Sequence, residues 1–208
     1  MKYKLGIDID GVLAEFNNGF AKVLRETAGR DLLPKDCSNP PVWDWPQHYG
    51  YSKEEVSTAW AEVSRGGTFW NDLGVVKGSE SFCQDLPACP DDEVYFITAR
   101  MGLNVKLQTE DWLEFHQLAH NPTVLIAYDK GPLAKSLRLT HFIDDKAGNC
   151  SDVLVSSPET HVFLLDRNYN RPEQAGLRIL AAKVKAPFQV ITDVSEFIDA
   201  LQRSGCPA

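Results

Sequence analysis

From residue 94 onward, short apolar runs alternate with amphipathic stretches, and this alternation limits the possible folds more than any other feature. Residues 94–98, 124–128, 141–145 and 161–166 read as strands, and residues 104–118, 132–137 and 194–202 as helices. An earlier strand over 4–10 is followed by an amphipathic helix over 16–27, with Phe16, Phe20, Val23 and Leu24 on one face. A further helix is expected over 79–86. Strands alternating with helices predict a parallel sheet joined by right-handed crossovers. The 208 residues suffice for one sizeable core and a small accessory unit.

The accessory unit has a place. Between residues 29 and 50 the texture changes: prolines stand at 34, 40, 41 and 46, interleaved with Trp43, Trp45, His48 and Tyr49. A helix is then expected over 53–64, opened by Ser52 as N-cap with Glu55 three residues on, and closed by Gly66 and Gly67. The expected architecture is therefore α/β. A Rossmann-like parallel-sheet core (1–16 and 75–208) carries a small, mainly helical cap (17–74) inserted after the first strand.

Composition excludes several classes. The chain is 43% hydrophobic and 24% charged, the balance of a soluble globular protein. No apolar run reaches membrane-spanning length, and the N-terminus enters a strand rather than a signal peptide, which favours the cytoplasm. Five cysteines, at 37, 83, 89, 150 and 206, have no CxxC spacing and suggest free thiols in a reducing compartment. A net charge of −8 without a dense basic run argues against a nucleic-acid polymer as partner. Homodimerisation stays open.

Open α/β sheets bind ligands at the carboxyl ends of their strands. Four such ends carry reactive groups: Asp8-Ile9-Asp10-Gly11-Val12, Thr98-Ala99-Arg100, Asp129-Lys130-Gly131 and Asp144-Asp145. Alternation along a strand would put Asp8 and Asp10 on one face, where two carboxylates repel unless a cation joins them. A hard dication such as Mg²⁺ suits oxygen ligands, and Asp144 and Asp145 add more of them. Gly11 permits a tight turn whose amides face a phosphate, Thr98 offers a hydroxyl, and Lys130 supplies positive charge. His116 and His120, four apart, are an alternative metal pair, but a helix-surface pair is the simpler reading. Lys135 reads as a solvated helix residue.

These four segments, in this order, resemble the four motifs of the haloacid dehalogenase superfamily. The resemblance covers the whole core and implies roles. Asp8 would be the nucleophile, forming an aspartyl-phosphate, and Asp10 the acid that protonates the leaving oxygen and then activates water. Mg²⁺ would be held by Asp8, the Asp10 carbonyl and Asp145, with Asp144 a ligand through water. Dehalogenases lack the second aspartate, so Asp10 favours phosphoryl chemistry. Phosphomutases share the motifs, and a non-catalytic phosphate-binding module is disfavoured by the intact set.

The insertion and three further stretches resemble the 5'(3')-deoxyribonucleotidase family and its phage and bacterial relatives. They are Thr68-Phe69-Trp70-Asn71-Asp72-Leu73, Asp111-Trp112-Leu113, and Leu164-Leu165-Asp166-Arg167-Asn168-Tyr169-Asn170. In the second motif Thr98-Ala99-Arg100 departs from the Thr-Ser-Pro of the animal enzymes. The resemblance implies a nucleoside monophosphate as substrate, with a sugar phosphate or other small metabolite as the alternative. A nucleobase stacks on aromatic rings, and among Trp43, Trp45, Trp60, Phe69 and Trp70 the leading candidates are Phe69 and Trp70. Ala99 and Arg100 join them as expected substrate contacts, Arg100 toward phosphate or a cap carboxylate.

Overall fold

The computed structural model describes residues 3–86 and 92–203. Its centre is a six-stranded, all-parallel sheet in the order β3-β2-β1-β4-β5-β6. The strands are β1 (Lys4–Ile7), β2 (Glu93–Thr98), β3 (Thr123–Ile126), β4 (His141–Asp144), β5 (His161–Leu165) and β6 (Phe188–Ile191). The chain builds outward from β1 through β2 to β3, then returns to lay β4 against the other side of β1. The order therefore reverses between β1 and β4, and the carboxyl ends of strands diverge there to leave a crevice. Leu5 pairs with His141 and Ile7 with Ile143 in that ladder, which brings Asp8 level with Asp144.

The helices are α1 (Phe16–Ala28), α2 (Trp45–His48), α3 (Lys53–Ser64), α4 (Phe82–Asp85), α5 (Val105–Phe115), α6 (Lys130–Leu137), α7 (Ala147–Ser156), α8 (Arg171–Val184) and α9 (Val194–Arg203). Period-two alternation divides the strand side chains between two apolar layers. Ile97, Phe142, Val162 and Leu164 bury against α6, α7 and α8. Phe96, Ile143, Phe163 and Leu165 join a second layer with α5, α9, α1 and α3. That second layer runs without a break from the sheet into the segment 17–74, through Phe20, Leu24, Trp45, Val63 and Trp70. The segment is helical as expected, and no strand lies in it among the described residues.

Local chemistry explains most boundaries. The Ser52 hydroxyl accepts from the Glu55 amide while the Glu55 side chain accepts from the Ser52 amide, a complete capping box at the head of α3. Gly29 ends α1 at φ 65, a left-handed cap that costs glycine nothing. Three expectations need correction. The first strand stops at Ile7 rather than at residue 10, because the chain folds back and the amides of Leu13 and Ala14 both donate to the Ile9 carbonyl at 2.8 Å. The helix expected over 79–86 is only α4, since the amides of Ser79 and Phe82 close successive turns. The helix after β2 ends at Phe115, and Gln117 at φ 57 breaks the chain direction, so His116 and His120 share no helical face.

Candidate active site

Asp8 leaves β1 with its amide still bonded to the Ile143 carbonyl, at 3.0 Å, so the crevice between β1 and β4 fixes it. Gly11 turns the chain immediately afterwards at φ 83, and a β-carbon there would collide with the Asp145 carboxylate. Arg167, beyond β5, donates to the Gly11 carbonyl at 2.7 Å and holds this turn from above.

Lys130 is the first residue of α6 and is 1% exposed. Its ammonium donates to Asp8 and, at 2.8 Å, to Asp144. Burial pulls this ammonium downward, but the charges of Asp144 and Asp8 outweigh burial and leave its pKa above the ordinary lysine value. The Asp8 carboxyl stands well above the ordinary range: burial raises it, Lys130 opposes, and Asp144, Asp145 and Asp10 add repulsion. Burial and the neighbouring Asp144 push Asp145 up to about 7, against a hydrogen bond from the Tyr169 hydroxyl. Asp144, fully buried, also accepts from the Lys146 amide at 2.8 Å and from Asn149 at 3.0 Å.

Asp8, Asp144 and Asp145 each offer a carboxylate oxygen, and these atoms lie within 4.8 Å of one another. Three buried carboxylates face one ammonium, so the cluster keeps a deficit of positive charge. The donors are all hard oxygens, which fits a small divalent cation such as Mg²⁺. The Asp10 carboxylate is not in this group. It sits past the end of β1, where alternation no longer applies, and turns instead to Arg100.

Arg100 departs most from expectation. Its side chain is 0% exposed, so it is neither a surface ion pair nor aimed at a carboxylate of the segment 17–74. Nε lies 3.1 Å from both Asp10 oxygens and Nη2 lies 2.8 Å from Oδ1. Thr98, the other partner of Asp10, donates across a longer 3.4 Å.

A cavity of about 210 Å³ opens over these groups. Asp8, Asp10, Thr98, Ala99, Arg100 and Lys130 line its floor, with Phe16, Trp43, Trp60, Trp70 and Tyr128 around them. A second lobe of about 280 Å³ adjoins it, sharing Phe16, Trp43, Trp60 and Asp145. Trp70 is a wall of the first lobe, with its indole N–H fixed 3.1 Å from the Met101 carbonyl. Phe69 is not in that lobe. It lines a separate depression with Gly19, Lys22 and Leu73 and braces Trp70 edge-on at 4.8 Å, because the tight turn over 68–72 sends neighbouring side chains apart.

Several residues that shape the site escape a motif reading. Phe16 reads as helix core in the sequence, and Tyr128 as the end of a strand. Tyr169 lay within a stretch noted only for its resemblance, although that stretch follows β5 at the sheet's ligand-binding end. Trp43, 54% exposed, touches Tyr169 edge-on at 5.5 Å and carries the Lys146 ammonium 4.9 Å over its ring. Cys37 and Cys150 are free thiols; Cys89, Cys206 and the Cys83 side chain lie outside the described residues. Lys135 is exposed on α6. No helix among the described residues is long and apolar enough to cross a membrane.

The chain is similar in fold to a HAD family hydrolase from Deinococcus radiodurans solved with bound phosphate and sodium: TM-score 0.61, 15% identity, 100% of this chain and 99% of that one covered. A hydrolase from Pseudomonas syringae gives a TM-score of 0.53 at 12% identity, covering 98% of this chain and 100% of that one. No curated protein matches the sequence significantly. A family model described as 5' nucleotidase, deoxy (pyrimidine), cytosolic type C protein matches residues 2–184, a span that holds every residue of the site built above. The chain therefore belongs to this cytosolic type C 5'-nucleotidase family, and is a nucleotidase-like phosphatase of the haloacid dehalogenase (HAD) type.

Proposed function

We propose that the protein is a Mg²⁺-dependent phosphomonoesterase that hydrolyses a (deoxy)nucleoside monophosphate through an aspartyl-phosphate on Asp8. The observation that carries this reading is the buried Asp8–Lys130–Asp144 pairing beside Asp145, at the floor of an aromatic-walled cavity. Asp8, the Asp10 main-chain carbonyl, Asp144 and Asp145 would hold the metal, which when bound offsets the carboxylate charge and polarises phosphoryl oxygens.

The remaining chemistry belongs to the chain. Lys130 and Thr98 hold phosphoryl oxygens while an Asp8 oxygen attacks phosphorus. The bond from phosphorus to the leaving oxygen breaks, and Asp10 delivers its proton to that oxygen. A water then gives a proton to Asp10 and attacks the phosphoenzyme, releasing phosphate and the Asp8 carboxylate. Asp10 lines the lobe with Phe16, Trp43, Trp60 and Trp70, so the leaving nucleoside occupies that lobe. Residues 17–74 act as a cap over the core formed by 1–16 and 75–208. The substrate is small because the lobe is, and the family's description, which names deoxy and pyrimidine, supports a nucleotide. The same description and the free Cys37 and Cys150 support a cytoplasmic location.

The test is a phosphate-release assay over nucleoside monophosphates and sugar phosphates, with Asp8→Asn as control. Hydrolysis of nucleotides by the wild type and none by Asp8→Asn is expected. Preference for sugar phosphates would replace the substrate, and retained turnover in Asp8→Asn would refute the mechanism.

A further inference from the structure

We propose that Arg100 is a positioning residue for the phosphohydrolase reaction, acting on the Asp10 carboxylate rather than on the substrate. The inference rests on the reading of Asp10 as acid and base given above. Its grounds are geometric. Arg100 spans two nitrogens across Asp10, at 2.8 Å for Nη2 and 3.1 Å for Nε, a forked contact that fixes the orientation of a carboxylate as well as its place. The third nitrogen, Nη1, donates to the Thr109 hydroxyl at 3.1 Å, and Thr109 is itself tied to the Val105 carbonyl at 2.7 Å. The guanidinium lies 4.8 Å from the Trp70 ring and 5.5 Å from the Trp112 ring. Arg100 is thus held from four directions: α5 through Thr109, Trp112 on the same helix, Trp70 from the segment 17–74, and Asp10.

Each nitrogen already holds a partner inside the protein, and a guanidinium with no exposed side-chain surface presents no face to a phosphate. What it controls is Asp10. That carboxylate is 21% exposed, lies past the end of β1 and, among the described residues, has otherwise the long Thr98 contact, so without Arg100 several rotamers open to it. Acid catalysis requires one of them, within hydrogen-bond reach of the leaving oxygen. Trp70 extends the device: the ring that walls the leaving-group lobe is also the ring stacked on the residue that aims the acid.

The experiment compares the wild type with Arg100→Met and Arg100→Lys on phenyl phosphate and p-nitrophenyl phosphate, with Mg²⁺ present. The two esters share a shape, but phenolate is the more basic leaving group and needs the acid more. In Arg100→Met, kcat/KM on phenyl phosphate should fall by about 100-fold and on p-nitrophenyl phosphate by far less. Arg100→Lys, which keeps the charge without the fork, should recover only part of the loss. The double variant Asp10→Asn/Arg100→Met should be no slower than Asp10→Asn alone, because the two act as one unit. Equal losses on both esters, an additive double variant, or a raised KM with kcat intact would overturn the proposal, the last by restoring Arg100 as a substrate contact. Melting curves accompany each variant, and equal losses with a lowered melting temperature mark a purely structural role. Retained activity in Asp8→Asn would instead refute the underlying mechanism, whatever Arg100 does.

Discussion

Lys130 shows how one side chain can govern both stability and chemistry. It balances Asp8 and Asp144, both buried at the cavity floor. Lys130→Met would leave two buried carboxylates uncompensated, a loss of about 3–5 kcal/mol at neutral pH. The sign with pH follows from linkage. Without Lys130, burial and the neighbouring carboxylates hold the Asp8 carboxyl above its unfolded value unopposed, so the native form binds more protons and the deficit shrinks as pH falls from 7 toward 5. Urea unfolding at the two pH values checks this; a deficit independent of pH would contradict it. Glycine supplies a second residue-scale contrast. Gly11 and Gly29 both have positive φ, 83° and 65°, and alanine at either costs roughly 1–2 kcal/mol of backbone strain. Nothing lies within 4 Å of a β-carbon at Gly29, whereas at Gly11 it meets Asp145. Gly11→Ala should therefore lose phosphatase activity that Gly29→Ala retains, and should melt lower than Gly29→Ala.

Secondary-structure elements obey more local rules. Ser52→Ala removes one half of the capping box and should destabilise α3 by about 1 kcal/mol, seen as a modest drop in melting temperature with the chemistry unchanged. Between β4 and β5, His141 lies 5.6 Å from His161 under the rings of Tyr3 and Phe163. Burial, with a smaller push from His161, holds His141 down at about 4. The unfolded chain protonates this imidazole near 6.5 while the folded one resists until about 4, so stability is full above 6.5 and declines through that window. Wild type should lose stability faster than His141→Gln between pH 6.5 and 4.5. The elements were legible where pattern or capping was strong: α3 matches residue for residue, and β2, β4 and β5 within one residue. Those that escaped have reasons. Helix α7 begins just past Asp144-Asp145-Lys146 with small residues, α8 has its apolar side chains diluted by charge, and β6 is a four-residue edge strand with three half-buried residues and only Ile191 fully buried. At the site, charged residues that close a strand announced themselves. Arg100 was visible as a charge, but its partner was not, since that depends on where the chain turns after Ile7.

At the scale of the whole molecule, the charge deficit at the sheet's switch point would couple the proposed metal binding to folding. A ligand at about 100 times its dissociation constant adds roughly 2.7 kcal/mol, which for a chain of this size is a rise of about 5–10 °C in melting temperature. Mg²⁺ should give the wild type such a rise, and Asp145→Asn should lose most of it, as read by thermal unfolding with and without chelator. The continuous apolar layer from the sheet into residues 17–74 predicts one cooperative transition rather than two.

The reversal of strand order between β1 and β4 also sets a timetable for synthesis. Asp8 leaves the ribosome before its ammonium partner, which lies 122 residues further along the chain. β1 pairs with β2 first, but the crevice has only one wall until β4 arrives with Asp144. A growing polypeptide therefore carries the proposed nucleophile, Asp8, before the groups that would make it usable, and activity is expected only once β4 is in place. Because those long-range parallel pairings are slow to close, enzymatic activity during refolding should return with the last tryptophan fluorescence phase and not with the first.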